Sequence, residues 1–379
     1  MSLRILQLNS ARLYIGEAAH TLNLTEALRQ EGHRVWLGLR SGYLTIDVAR
    51  RRNLEPLGFK MPKRWWLPSE LPDMRDMAKL VREEGIQVVH VHRGREHWQA
   101  TLAAQLFRLG VPIVRTRHVV TPLKKHLANR WLAGRTAKLI VVSRAVEADV
   151  RSTRLYRDQE VVFIPGGVDL ELFRVKGCRR EVRAKVGLAE DALVAICVAR
   201  FAKVKAHRVL LESWASVRRQ VPGAILLLVG DGLLRAESEA LAGRLGLTGN
   251  DVRFLGWQTS EELPGLLEAA DVGVLTSVGS EGFSRAVLEY LSLQLPVVAT
   301  RVGAVPDLVT DGVSGRLVEP EDVVGLARAL TEALQLPPER RGEMGRAGRA
   351  KAEGEHGYRA WARAHVRLYE DVLKNRRTN

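Results

Sequence analysis

The chain has 379 residues, 46% of them apolar and 27% charged, the make-up of a globular protein with more length than one hydrophobic core usually serves. No apolar run approaches a membrane span, the N-terminus is too short and mixed for a signal peptide, and Cys178 and Cys197, without metal-ligand or disulfide spacing, fit a reducing cytoplasm. The net charge of +15 is uneven, with 32 Lys+Arg against 17 Asp+Glu in residues 1–180, 20 against 24 in 181–357 and 6 against 2 in 358–379. The first half and the tail therefore expect an acidic partner such as nucleic acid, an anionic membrane surface or a phosphorylated glycan.

Strand-like runs alternate with helix-like runs throughout, the pattern of parallel sheets wound with helices on both faces. In the first half the predicted strands are 4–9, 34–39, 87–92, 112–117, 138–143 and 161–165, and the clearest helix runs from Glu17 to Gln30 and ends at Gly32. A second series follows at 192–199, 224–229, 252–255, 272–275 and 296–300. The fold class expected is α/β, with two doubly wound, Rossmann-like domains facing across a cleft. Their boundary falls in the basic, polar stretch 169–187, which divides the chain into 1–175, 176–357 and a closing helix in 358–379.

In doubly wound sheets ligands bind beyond the carboxyl ends of the strands. Arg200 and Lys205 lie on the loop after strand 192–199, placed to reach an anion, with a helix starting near His207. Strand 272–275 runs out into Glu281-Gly282-Phe283-Ser284, and a helix continues to about Leu293. Free N–H groups at that helix start and its positive dipole end suit a phosphate, and Gly282 lets the backbone come close. Glu281 and Glu289 stand eight positions apart; if both were helical they would be separated by about 12 Å, wider than the roughly 5–9.5 Å of a glycosidase pair. Separate tasks fit better, Glu281 accepting from sugar hydroxyls and Glu289 from ribose hydroxyls. No Asp-x-Asp metal motif is present. A leaving diphosphate is expected to meet Arg200, Lys205 and the helix start, with no metal and no cofactor.

Arg200-x4-Lys205, Leu228-Val-Gly-Asp-Gly232, Phe254-Leu-Gly256, Ser280-Glu-Gly-Phe-Ser284 through Glu289 and Pro296-Val-Val-Ala-Thr-Arg-Val-Gly303 follow one another in an order that resembles the family-4 retaining glycosyltransferases of the GT-B fold. In the first half Asn9–Gly16, Glu31-Gly-His33, Val89-His-Val-His92, Arg115-Thr-Arg-His118, Val141-Val-Ser143 and Ile164-Pro-Gly-Gly-Val-Asp169 match as well, so the resemblance covers essentially the whole chain. It implies that Arg200 and Lys205 bind the donor diphosphate. Glu281 and the backbone of Gly282, Phe283 and Ser284 would hold the donor sugar, Glu289 the ribose, and Gln258 would lie near the nucleobase. Gly16 would let the N-terminal loop close over the diphosphate, His118 would lie near the reacting carbon, and the last helix would return to the first domain. Departures from the family pattern are Ile15, Ala199, Ala206 and Ala304 where glycines are common and Gly166 where asparagine is frequent; none removes a charged contact.

His90 and His92 share one strand face, so a two-histidine metal site is geometrically possible, but no third ligand is evident. His92 is a candidate for the acceptor side and His90 for packing. Lys60-Met-Pro-Lys-Arg-Trp-Trp-Leu-Pro68 and Lys124-Lys-His-Leu-Ala-Asn-Arg-Trp131 set cations beside tryptophans, a combination that favours a bilayer interface. The function expected is retaining, metal-independent transfer from a nucleotide-sugar, a UDP-sugar ahead of a GDP-sugar. The acceptor expected is a membrane-associated glycan or glycolipid, such as lipopolysaccharide core or a lipid-linked oligosaccharide, at the inner face of the cell membrane. The competing readings are a nucleotide-sugar epimerase or other GT-B-like enzyme and, further off, a basic nucleic-acid-binding protein, which no recognition motif supports.

Overall fold

The computed structural model describes residues 2–14, 16–62, 67–121, 123–279 and 281–377. It divides into two units, Met1–Gly167 with His356–Asn379, and Val168–Glu355.

The first unit is built on seven strands: β1 Arg4–Asn9, β2 Arg34–Arg40, β3 Leu57–Phe59, β4 Val88–Val91, β5 Ile113–Arg117, β6 Lys138–Val141 and β7 Val161–Phe163. The second has β8 Val194–Val198, β9 Ile225–Val229, β10 Val252–Gly256, β11 Val272–Leu275, β12 Val297–Thr300 and β13 Gly315–Val318. All pair in parallel, in the orders β3-β2-β1-β4-β5-β6-β7 and β10-β9-β8-β11-β12-β13. The central strands are apolar runs because helices cover both faces; β9, Ile-Leu-Leu-Leu-Val, is buried at every position. In each sheet the order reverses beside the first strand, between β1 and β4 and between β8 and β11, where diverging loops leave a binding crevice.

The expected strands are present with ends that agree to within a residue or two, and two others lie outside that expectation. These are β3 and β13, both at a sheet edge. Leu57-Gly-Phe59 and Gly315-Arg-Leu-Val318 are short and only partly buried, so they lack the apolar run that marks a central strand.

The unit junction falls after Gly167, upstream of the expected boundary between 175 and 176. Val168 and Phe173 are buried in the second unit's core with Ile196 and Leu267, which draws 168–175 into that unit. The return falls at His356, whose Nδ1 lies 2.9 Å from the Gly166 carbonyl. The helix Tyr358–Arg377 then packs into the first unit's core, with Trp361 and Tyr369 buried among Ile5, Leu24, Leu28 and Val88. A Cβ on Gly167 would stand 2.3 Å from the Trp361 ring, so glycine is required there. Arg359 and Arg363 bind Glu31 at 3.1 and 2.8 Å. The first unit carries 34 Lys+Arg against 17 Asp+Glu and the second 24 against 26, so the whole excess of positive charge belongs to the first.

Among the described residues no helix is long and apolar enough to cross a membrane.

Candidate active site

In the second unit, the loops after β8 and β9 interlock. Phe201 N donates to the Asp231 carbonyl at 3.0 Å and Leu234 N to the Phe201 carbonyl at 3.2 Å. Gly230 and Gly232 have φ of +137° and +151°, and a Cβ on either would come within 2.2 and 2.5 Å of the carbonyl oxygens of Ala199 and Phe201. That nesting is the physical reason for the Gly-Asp-Gly sequence, and it presents Arg200 outward, exposed and without an ion-pair partner among the described residues. Ala206 adopts φ +48° just before the helix His207–Gln220, a left-handed conformation that glycine would reach at lower cost.

The loops after β8 and β11 are tied to each other. Thr276 Oγ1 donates to the Lys205 carbonyl at 2.9 Å, and Val278 N to the Val204 carbonyl at 2.9 Å. Beneath them Tyr290 spans the two strands, its hydroxyl accepting from Val198 N at 2.7 Å and donating to the Val274 carbonyl at 3.3 Å. The ring fits because β11 has Gly273 there; a Cβ would stand 2.5 Å from it. Tyr290 was no part of the sequence expectation, although a glycine inside an apolar strand signals such a close approach.

On this platform the Lys205 ammonium is ion-paired with the Glu281 carboxylate, which also accepts from Ser277 Oγ at 2.6 Å. Glu281 is buried, and its carbonyl is held by Ala304 N at 2.7 Å. Gly303, with φ +52°, makes that approach possible, since a Cβ there would stand 1.9 Å from the Glu281 oxygen. Ser284 stands at the N-cap position of the helix Arg285–Ser292, and its buried hydroxyl has no hydrogen-bond partner among the described residues. Glu289 is buried on the second turn of that helix and accepts from Arg285 Nε at 2.5 Å. Burial pushes its carboxyl above the ordinary range, against the pull of Arg285. The two glutamates therefore have different partners, Lys205 and Ser277 for one and Arg285 for the other. After β10, Gln258 Nε2 donates to the Leu255 carbonyl at 2.9 Å, and the neighbouring Trp257 is exposed, an aromatic surface that the sequence reading passed over. Ser280 lies outside the described residues.

The other two candidates, Gly16 and His118, belong to the first unit. Gly16 opens the helix Gly16–Gln30 with open space around its Cβ position, and the preceding Ile15 lies outside the described residues. His118, just past β5, is buried, with Nε2 3.1 Å from Nδ1 of His92, just past β4. His92 Nε2 in turn lies 2.6 Å from Gln7 Oε1. His20, on the helix Gly16–Gln30, brings its ring centroid to 4.5 Å from that of His118. His90 packs as expected, bonded at 2.7 Å to both Tyr369 and Thr116 hydroxyls. His20 and Gln7 were missed, because nothing in their local sequence distinguishes them.

Burial holds the imidazoles of His20, His90, His92 and His118 well below their usual range, and His365 at about 4. Such groups stay neutral in the folded chain but protonate in the unfolded one below about pH 6.5. The unfolded state then binds more protons, so stability is fully present above that pH and falls as the solution is acidified toward the folded values. The urea midpoint, followed by circular dichroism, should drop between about pH 7.5 and about pH 5; a flat midpoint would show that these rings titrate equally in both states.

The family described as Glycosyl transferases group 1 matches residues 179–351, and that described as Glycosyltransferase Family 4 matches 16–172. A protein of Saccharomonospora viridis named D-inositol 3-phosphate glycosyltransferase is 33% identical over 353 residues, covering 83% of this chain and 78% of that protein. One of the same name from Segniliparus rotundus is 31% identical over 310 residues, covering 76% of this chain and 66% of that one. The chain thus spans 66% to 78% of the length of these relatives. Among solved structures, Anabaena HepE in complex with UDP superposes with a TM-score of 0.84 over 97% of this chain and all of that one, at 20% identity. Two parallel-sheet, Rossmann-like units with cationic and acidic groups on the loops at the second sheet's switch point define a GT-B glycosyltransferase. The chain belongs to the family-4 glycosyltransferases of that fold.

Proposed function

We propose that the protein transfers a sugar, with retention and without a metal, from a nucleotide-diphosphate sugar, a UDP-sugar ahead of a GDP-sugar, to a membrane-associated glycan or glycolipid. The observation that carries the donor half is the meeting, at one switch point, of exposed Arg200, the Lys205–Glu281 pair and the orphaned Ser284 hydroxyl at a helix start. In this reading the diphosphate takes Lys205, Arg200 and the amides of 282–284. Glu281, released from Lys205, then accepts from the donor sugar's hydroxyls. As the bond between the anomeric carbon and phosphate breaks, negative charge grows on the leaving oxygens, where the two cations stand. The acceptor hydroxyl approaches from the same face, its proton passing to the leaving phosphate. His118 is assigned to the acceptor side and Gly16 to the mobility of the loop after β1, both on the family resemblance. Gln258 and Trp257 flank the base. The UDP complex of the Anabaena protein supports the choice of UDP.

Glu289 is assigned to the ribose. Glu289→Ala should weaken UDP binding by roughly 10- to 100-fold, the worth of a charged hydrogen bond, measured by calorimetry. An unchanged Kd would remove Glu289 from the nucleotide site.

For the acceptor, the excess positive charge of the first unit favours an anionic surface. On that unit Leu127, Val119 and Val120 are exposed beside Lys124, Lys125 and Arg130, and Trp131 stacks on Trp98 at 5.7 Å. Apolar side chains among cations suit lodging at an anionic bilayer, which supports a peripheral position on the inner membrane face. The Lys63–Trp66 part of the other Trp-containing segment lies outside the described residues. Lipopolysaccharide core or a lipid-linked oligosaccharide is the acceptor proposed. A second reading, a phosphorylated cyclitol, is favoured by the relatives' name and by buried Arg115, whose Nε has no partner among the described residues. Incubation with labelled UDP- and GDP-sugars, offering glycolipid in one arm and D-inositol 3-phosphate in the other, decides. Label in neither product overturns both.

A further inference from the structure

Three histidines from separate elements converge at the carboxyl end of the first sheet: His20 on the helix Gly16–Gln30, His92 past β4 and His118 past β5. One ring nitrogen from each lies within 4.8 Å of the other two. We propose that His20, His92 and His118 form a binding site for one divalent transition-metal ion of the zinc class. The ion is not needed for transfer; its occupancy inhibits, a consequence that rests on the reading of His118 as a residue beside the reacting carbon.

The geometry carries the site. Two imidazole nitrogens on one tetrahedral zinc, at about 2.0–2.1 Å each, stand about 3.3 Å apart. His92 Nδ1 and His118 Nε2 are already 3.1 Å apart. The third nitrogen lies within 4.8 Å, so drawing it in to that spacing takes a shift of at most about 1.5 Å.

The protonation states fit as well. With Gln7 Oε1 accepting at 2.6 Å, His92 Nε2 carries the hydrogen and its Nδ1 lone pair faces His118. A side-chain carbonyl behind a ligating histidine is the support that metal sites use to orient the ring. At present His118 Nε2–H fills the gap by donating to His92. On metal binding that hydrogen moves to His118 Nδ1, so both facing nitrogens offer lone pairs and no net proton is released. An all-imidazole set suits zinc, copper or nickel and disfavours magnesium or calcium. The fourth position is left to water, and an ion held there occupies His118 on the side where the acceptor is proposed to bind.

The test uses the full-length, tag-free chain titrated with Co²⁺. One equivalent should bring up the intense visible bands of four-coordinate cobalt, and Zn²⁺ should bleach them. His20→Gln should weaken binding by roughly tenfold or more, and Gln7→Ala by roughly 10- to 100-fold, as for other outer-shell losses, with circular dichroism unchanged. Wild-type protein showing only the weak bands of six-coordinate cobalt overturns the proposal, whatever the variants do. So does a His20→Gln variant that titrates like wild type. Neither readout uses a nucleotide-sugar, so failure here and failure of the transferase reading are separate results. In the transferase assay, Zn²⁺ should inhibit wild type and be at least roughly tenfold less effective on His20→Gln.

Discussion

Lys205→Ala is expected to lower kcat by roughly 10²–10³ with a much smaller change in KM, as when other preorganised charge contacts to a transition state are lost. The ammonium sits on a loop pinned through its own carbonyl to Thr276 and is paired with buried Glu281. In the ground state the donor's diphosphate is already anionic and shared among several donors. In the proposed donor pose the extra charge that develops as the sugar leaves falls on the oxygens nearest Lys205, so the loss is expected in turnover. Truncation also leaves Glu281 buried with Ser277 Oγ as its remaining partner, 2.6 Å away. The carboxylate then lacks its counter-charge, which costs stability as well as rate. Lys205→Arg should recover only part of the activity, because a planar fork cannot occupy the space of a point charge. Steady-state kinetics with the accepted donor tests this, and near-wild-type kcat would remove Lys205 from the transition state.

Gly303→Ala is expected to lower kcat by about 10²-fold, the effect of displacing a reacting group by about 1 Å, although Gly303 itself is given no contact with substrate. A Cβ at φ +52° would stand 1.9 Å from the Glu281 carbonyl oxygen, so the turn carrying Glu281 must move or residues 300–304 must. Ala304 N–H would lose its 2.7 Å bond to that carbonyl in either case. Placement, not chemistry, is removed, so Glu281 and Lys205 remain but no longer meet the donor together. The comparison variant is Ala304→Gly, at a position with φ −79°, where added backbone freedom should cost little activity. Wild-type rates in Gly303→Ala would mean that the Glu281 turn tolerates displacement and is not the sugar clamp.

The groups proposed for the donor are legible in the sequence because each sits on a loop immediately after a recognisable apolar strand. Arg200 and Lys205 follow β8, and Glu281 to Ser284 follow β11, so strand position alone marks them as candidates to face a ligand. The sheet order adds the reason that those two loops, and not others, meet: β8 and β11 are neighbours at the reversal. Gln258 was legible in the same way after β10, whereas Trp257 beside it carries no local mark that separates a stacking surface from an ordinary exposed aromatic.

What stayed hidden depends on contacts between residues far apart in the chain. Tyr290 reads as one more apolar position on a helix until its hydroxyl is found between Val198 and Val274. His20 reads as a helix residue and Gln7 as a strand residue, and only the packing of a helix and three strands brings them to His92 and His118. The junction at Gly167 was misplaced for a related reason. Residues 168–175 look like an exit from the first sheet, but Val168 and Phe173 bury their side chains in the second unit's core.

By itself the sequence determined the alternation of strands and helices, the two-unit architecture, and which cationic and acidic residues lie on the strand-exit loops proposed for the donor, since periodicity and strand-exit position are local properties. Only the tertiary structure decided how those loops are held and which histidines meet. Gly230, Gly232, Gly273 and Gly303 each make room for a carbonyl or a ring from elsewhere in the chain. Such a requirement exists only once the chain has folded back to place that atom there.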